Sequence, residues 1–420
     1  MQISPLRMNR IFAASLLSCC FWSLTQAADA PKSIAASLQS LVDGKTIAGA
    51  VVLVADKDKV LDVGAVGLAS LDRKEPMRTD DLFWIASMTK SLTGSAMMML
   101  VDEGKVKIDD PVEKYLPEFK GQVVAGKDGG EAHAPQRPIT IKDVLSHTSG
   151  LILAGDKSLK RTGVLKDDVA QIAKSPLRQE PGTKYEYNNS GINTAGRIIE
   201  VVSGEAYTDF MQKRLFGPLG MKDTTFWPNE EQAARLAHSA RRAADKVSLE
   251  EVKLDTNVTP DLIERLSRGV KVPLPMIREM GIGKAGEYGN HYGEPAGGLF
   301  STAADLGQFC RMLLNEGTLD GKRLLSVEAV RMMTANQTQS VPVNPQEAYG
   351  IGWSVKLKAE EGPSIGSFGH RGARRTAMWV DPTNQLAMII LVERFDMTGE
   401  EQKRMYEPFF KGAIERYGKR

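Results

Sequence analysis

Strand-like segments stand at both ends of this 420-residue sequence, and helix-like ones fill the stretch between them. Near the start, Gly49–Ala55 and Lys59–Val66 are rich in valine, leucine and alanine on either side of Asp56-Lys57-Asp58, the composition of a β-hairpin. From Tyr349 onward the pattern returns in Gly350–Leu357, Gly366–His370, Thr376–Val380 and Ala387–Val392. Between these groups, Ser87–Glu103 carries apolar residues at helical spacing through Leu92, Ala96, Met99 and Leu100, with Gly104 placed to stop it. Ile141–Leu145, Val169–Lys174, Ser190–Val202, Ala206–Leu215 and Leu306–Leu314 also suit helices, and Thr398-Gly399-Glu400-Glu401 suits a capping box opening a last helix to about Arg416. The order predicts an α/β (α+β) fold: an antiparallel sheet built from both chain ends, flanked by helices, with a mainly helical lobe inserted. The expected domain spans 31–417, with a sheet lobe of about 31–95 and 296–417 and a helical lobe of about 96–295. Lys246–Pro275, polar and weakly patterned, is expected to be a surface excursion.

Ahead of that domain, residues 1–27 hold Arg7 and Arg10, no acid, an apolar run from Ile11 to Leu24, and small residues around Ala27. This is the layout of a secretory signal peptide, and the run is shorter than the ~20 residues of a membrane span. The alternative is a lipid anchor: Leu16-Leu17-Ser18-Cys19 loosely matches a lipoprotein processing box, with the lipid on Cys19. The expected location is periplasmic or secreted, with no transmembrane span in the mature chain.

Composition narrows the partners. Lysine and arginine number 54 against 52 acids, a formal charge of +2, so nucleic acid is not an expected partner. Cys310, the one cysteine beyond Cys19 and Cys20, has no mate and reads as a small core residue. The five histidines show no metal-ligand spacing, and no metal or other cofactor is expected.

Three segments carry chemistry. Ser87-Met88-Thr89-Lys90 places a hydroxyl and an amine three apart, on one face of a helix, where a desolvated lysine can activate the serine. Alone, Ser-x-x-Lys equally describes an N-cap serine with a surface lysine. Tyr187-Asn188-Asn189 aims a phenol and an amide toward one cleft; a nearby ammonium would favour phenolate and make Tyr187 a base toward Ser87. His370-Arg371-Gly372-Ala373 follows a strand-like run. It can offer a donor from His370, close approach at Gly372, and a backbone N–H of Ala373 that pairs with that of Ser87 as an oxyanion hole.

In this order and spacing the three segments resemble the β-lactamase-related serine hydrolases, the class C β-lactamase-like and penicillin-binding-protein-like proteins that include esterases of the same fold. Ile139–Leu151, Pro295–Thr302 and Tyr349–Trp353 add to the likeness, which runs from about Leu38 to about Tyr417. The resemblance implies an acylated Ser87, a proton-handling pair of Lys90 and Tyr187, and a substrate-orienting Asn189. His370 stands where many relatives carry a lysine. A mostly neutral imidazole holds a substrate carboxylate less firmly, which favours esters or uncharged amides over β-lactams. Arg371, Arg374 and Arg375 are a counterweight: one of them, with Arg371 and Arg375 foremost, can bind an anionic substrate end, or all point to solvent. Ala373 and Thr376 stand where many such relatives carry glycines.

Two other serines compete. Gly362-Pro363-Ser364-Ile365-Gly366 matches the G-x-S-x-G elbow, but strand-like sequence follows where a helix is needed. Ser146-His147 are adjacent, so their side chains diverge on a helix, and His147 is expected to cap or pack. The expected activity is hydrolysis of small esters, or of amide and D-amino-acid peptide substrates, through an acyl-enzyme. The alternative is a protein that binds penicillin or cell-wall peptide, or is acylated once, without turnover. The partner in either case is a small molecule or short peptide.

Overall fold

Central to the fold is a sheet with two adjacent inner strands that are apolar at every position. In Gly49–Ala55 all seven residues are buried: Val51, Leu53 and Ala55 enter one core, while Ala50, Val52 and Val54 enter another. Leu386–Leu391 divides in the same way. A strand covered on both faces loses the alternation of a half-exposed one and reads as an unbroken apolar run. The computed structural model describes residues 33–126, 130–160, 162–252, 293–360 and 362–419. The N-terminal apolar segment, Cys19, His291 and most of Lys246–Pro275 lie outside these; within the last, Leu249–Glu251 pairs with Ala240–Arg242.

Eight strands form the sheet, in the spatial order Glu347–Tyr349, Ser354–Lys356, Phe368–Arg371, Ala377–Asp381, Leu386–Leu391, Gly49–Ala55, Val60–Ser70 and Glu75–Pro76. Every pairing is antiparallel, and the two chain ends meet where Val51 lies opposite Leu391. The expected hairpin closes on Asp56, whose carboxylate accepts from the N–H groups of Asp58 and Lys59, both at 2.7 Å. The C-terminal helix Gly399–Tyr417 covers one face with Met405, Tyr406, Phe409, Phe410 and Ala413. Its N-terminus carries the expected capping box of Thr398 and Glu401. Helices Thr89–Asp102 and Ala303–Leu314 line the other face, and Cys310 is buried there.

The expected strand Gly350–Leu357 is divided. Residues 350–353 form a turn, with Gly350 N–H donating to Trp353 O at 2.7 Å and Gly352 at φ +79°. That turn is pinned by Ile351 N–H to Met333 O and Gly352 N–H to Leu145 O. It packs on Thr89–Asp102, where Ser91 Oγ donates to Gly352 O at 2.9 Å. The amphipathic pattern expected for Thr89–Asp102 gives way to burial on every side from Thr89 to Leu100. Its internal hydroxyls are served by carbonyls: Thr93 by Pro295 O at 2.7 Å and Ser95 by Ser91 O at 2.9 Å.

Candidate active site

Ser87 sits in a short 3₁₀ turn, Ala86–Met88, between strand Phe83–Trp84 and helix Thr89–Asp102. The strand pairs with Phe300–Ser301, and Ile85 N–H donates to Leu299 O, so the turn is held from both sides. Ala86 has φ +45°, a left-handed conformation that costs an alanine energy and is sustained here by full packing, with Ala86 only 2% exposed. Thr89 Oγ1 locks the turn by donating to Ala86 O at 2.6 Å.

One helical turn on, Lys90 is wholly buried. Its Nζ lies 3.1 Å from Ser87 Oγ and donates to Ala296 O at 2.6 Å. Burial lowers the amine to a pKa of about 7, opposed in part by Glu294. About half of such a population is neutral at pH 7. The carbonyl that holds it belongs to Pro295–Gly298, a segment fixed by Asn193 Oδ1 accepting from Ala296 N–H at 3.1 Å.

Tyr187 completes the group. Lys90 Nζ is 4.8 Å from its ring centroid, and the Ser87 side chain is near enough to its phenol to lower the phenol pKa. The residue is 42% exposed, yet desolvation of the phenol pushes its pKa up to about 12, with Ser87 opposing this. The expectation of phenolate favoured by an ammonium is therefore reversed. The nearby amine is itself half neutral, and desolvation wins. In its neutral form the amine can accept a proton here, and the protonated phenol can donate one.

Asn189 begins helix Asn189–Ser203, behind the N-cap Asn188. Its Oδ1 is buried and has no hydrogen-bond partner among the described residues. The Asn188 amide is spent on Leu151 O and Ile152 O at 2.6 and 3.0 Å.

His370 reaches the site, with its ring 6.3 Å from that of Tyr187, but it is not poised to donate there. Nδ1 is 2.8 Å from Arg371 O, an acceptor, so Nδ1 carries the proton; Nε2 then accepts from Tyr349 Oη at 2.9 Å. Desolvation, with Lys90 second, lowers His370 to about 3.

Arg371 is a correction. Neighbouring residues of a strand face opposite ways. His370 pairs with Met378 on the face of the Ser87 helix, while Arg371 pairs with Ala377 on the other. There its guanidinium bonds Glu347 at 2.8 Å and lies 5.5 Å from the ring centroids of Trp379 and Tyr406. Arg375 is a second correction, its side chain donating to Phe395 O at 3.1 Å. Arg374 lies 5.1 Å over the Trp84 ring. At Gly372 a Cβ would come within 2.6 Å of Ile85 O, so this glycine admits the backbone two residues before Ser87. Ala373, exposed, follows it.

The competing serines fall away. Ser364 lies in the connection between two sheet strands, its Oγ accepting from Asn384 at 2.8 Å, and Ser146 Oγ is 3.2 Å from Thr148 Oγ1. Sequence reasoning undervalued His147 and Tyr349, whose rings are 4.7 Å apart beside Tyr187. It also could not foresee the Ala296 carbonyl, because any residue type supplies one.

The family model described as Beta-lactamase matches residues 34–407. Protein Rv1367c of Mycobacterium tuberculosis is 32% identical over 385 residues, covering 85% of this chain and 88% of that protein. Esterase EstB of Burkholderia gladioli is 32% identical over 212 residues, 46% of this chain and 52% of that one. Among solved structures, the fold is that of EstCE1, a hydrolase with promiscuous acyltransferase activity, at TM-score 0.69 and 22% identity over 89% of this chain and 97% of that one. This chain belongs to the beta-lactamase family and is a serine hydrolase.

Proposed function

We propose that the protein is an exported hydrolase acting on small esters, or on uncharged amides and D-amino-acid peptides, through an acyl-enzyme on Ser87. The observation that carries the reading is the buried Lys90 amine, pKa about 7, at 3.1 Å from Ser87 Oγ. In the neutral form Nζ takes the Ser87 proton as Oγ bonds to the substrate carbonyl carbon. The backbone N–H groups of Ser87 and Ala373 hold the resulting oxyanion. The C–O or C–N bond then breaks, and the leaving group takes a proton from the Tyr187 hydroxyl, which Lys90 replenishes. Water attacks the acyl-enzyme carbonyl carbon and gives a proton to Lys90; the Ser87 Oγ–carbon bond then breaks, Oγ takes that proton back, and the acid leaves. Asn189, which begins the helix just after Tyr187, is assigned to orient the substrate through its amide.

Substrate charge follows from the cations. His370 is neutral, Arg371 is paired with Glu347 on the far face, and Arg375 serves backbone carbonyls. None of these offers a charge for a substrate carboxylate, which ranks β-lactams, with their obligatory acid group, below neutral esters. Export rests on the N-terminal segment, with a lipid on Cys19 as the alternative; the mature N-terminus of the secreted protein distinguishes them. No helix among the described residues is long and apolar enough to cross a membrane.

The test is hydrolysis of a nitrophenyl ester by purified protein and by Ser87→Ala. A loss of at least about 10³-fold is expected; equal rates would remove Ser87 from the mechanism.

A further inference from the structure

We propose that His147 is a positioning residue that clamps the chain on both sides of Tyr187; the proposal rests on the catalytic reading of Tyr187 above. Three contacts converge. Glu186 N–H, just before Tyr187, donates to His147 O at 2.8 Å. Asn188 N–H, just after it, donates to His147 Nδ1 at 3.1 Å. The imidazole itself packs against the Tyr187 ring at 4.4 Å between centroids. One residue thus fixes the backbone at positions 186 and 188 and the ring between them.

The local conformation makes this possible. His147 has φ +61°, left-handed and costly for a residue with a Cβ, though less so for His, Asn and Asp than for branched side chains. Without that turn the carbonyl and the imidazole of one residue would not both meet the same short segment. Tyr185 and Tyr349 close the ring in at 5.8 and 4.7 Å, and the residue is 1% exposed.

The tautomer is determined too. Nδ1 accepts, so the neutral ring carries its proton on Nε2, a buried donor without a protein partner among the described residues. An unsatisfied buried group calls for an explanation, and here it is the bond that Nδ1 accepts from Asn188. Burial, and then Lys90, hold the imidazole well below its usual range, so it adds no charge beside the amine. A catalytic part is not assigned to it, because its one free nitrogen is a donor and its acceptor is spent on Asn188.

The experiment separates positioning from general support. His147→Asn keeps an acceptor at the δ position and tolerates the left-handed backbone; His147→Phe keeps the ring and loses the acceptor; His147→Gln keeps volume and moves the acceptor outward. Nitrophenyl ester kinetics on each are expected to show kcat reduced on the order of 10- to 100-fold in the Phe variant with KM changed by less than about threefold, and largely retained in the Asn variant. The decisive comparison is on a Tyr187→Phe background, where His147→Phe is expected to cost no more than about twofold further. A full additional loss in that background, or an Asn variant as slow as the Phe variant, overturns the proposal. If the Phe variant does not fold, His147→Gln carries the same comparison. Wild-type hydrolysis unaffected by Ser87→Ala would instead overturn the catalytic reading on which it rests.

Discussion

Replacing Lys90 with methionine should remove the candidate base and at the same time make the protein more stable at low pH. A lysine whose pKa falls from 10.5 to about 7 on folding opposes folding wherever the unfolded chain holds a proton that the folded one resists. At 1.36 kcal/mol per unit, the full cost below pH 7 is about 5 kcal/mol. Methionine fills the site without that cost but leaves Ala296 O without its donor, a loss of about 1–3 kcal/mol. The net gain at pH 6 is therefore roughly 2–4 kcal/mol. The unfolded chain binds more protons than the folded one between pH 7 and 10.5, so the wild type recovers stability as pH rises through that window. By pH 9.5 the lysine costs only about 1.4 kcal/mol, and the advantage of the variant should shrink by about 3 kcal/mol. Urea denaturation of both proteins at pH 6 and 9.5 measures this, since all other titrating groups are common to the pair. A difference that does not change with pH would refute the claim that this amine is desolvated rather than simply paired.

The same amine should appear in the kinetics: kcat/KM for a neutral ester is expected to fall tenfold per pH unit below about 7 and to level above it. No alkaline fall is expected below pH 9, because the Tyr187 phenol stays protonated to about 12. A profile flat from pH 5.5 to 8.5 would contradict the assignment of Lys90. Arg371→Met should leave kcat/KM for the ester within about twofold while lowering stability by about 1–2 kcal/mol, since Glu347 loses one of its two cations and keeps Lys356 among the described residues. A large kinetic loss at unchanged stability would return Arg371 to the substrate.

How much of this could be read from the letters depended on the kind of interaction. The inner strands were legible because burial on both faces forces an unbroken apolar run, as in Ala50–Ala55. Thr398 and Glu401 announced their helix because a capping box needs those side chains at that spacing. Ser87, Lys90 and Tyr187 were legible as residue types, and the fold brings them together. The environment was not. Whether an ammonium lowers a phenol or burial raises it depends on how tightly the chain packs around both. His370 looked like a donor until Arg371 O and Tyr349 Oη took both ring nitrogens. The error over Arg371 was avoidable, since strand alternation alone opposes it to His370. The Ala296 carbonyl leaves no residue-type signal, and the groups that His147 holds at positions 186 and 188 are backbone N–H groups, which leave none either.

The central claim, that Ser87 is acylated and released, is tested most directly by intact-protein and peptide mass spectrometry on samples quenched during turnover of an activated ester. A transient acyl group on the peptide containing Ser87, decaying as acid product accumulates, is the predicted result. Turnover with the acyl group on another residue, or with none on any peptide of a Ser87→Ala protein that hydrolyses at the wild-type rate, would contradict it.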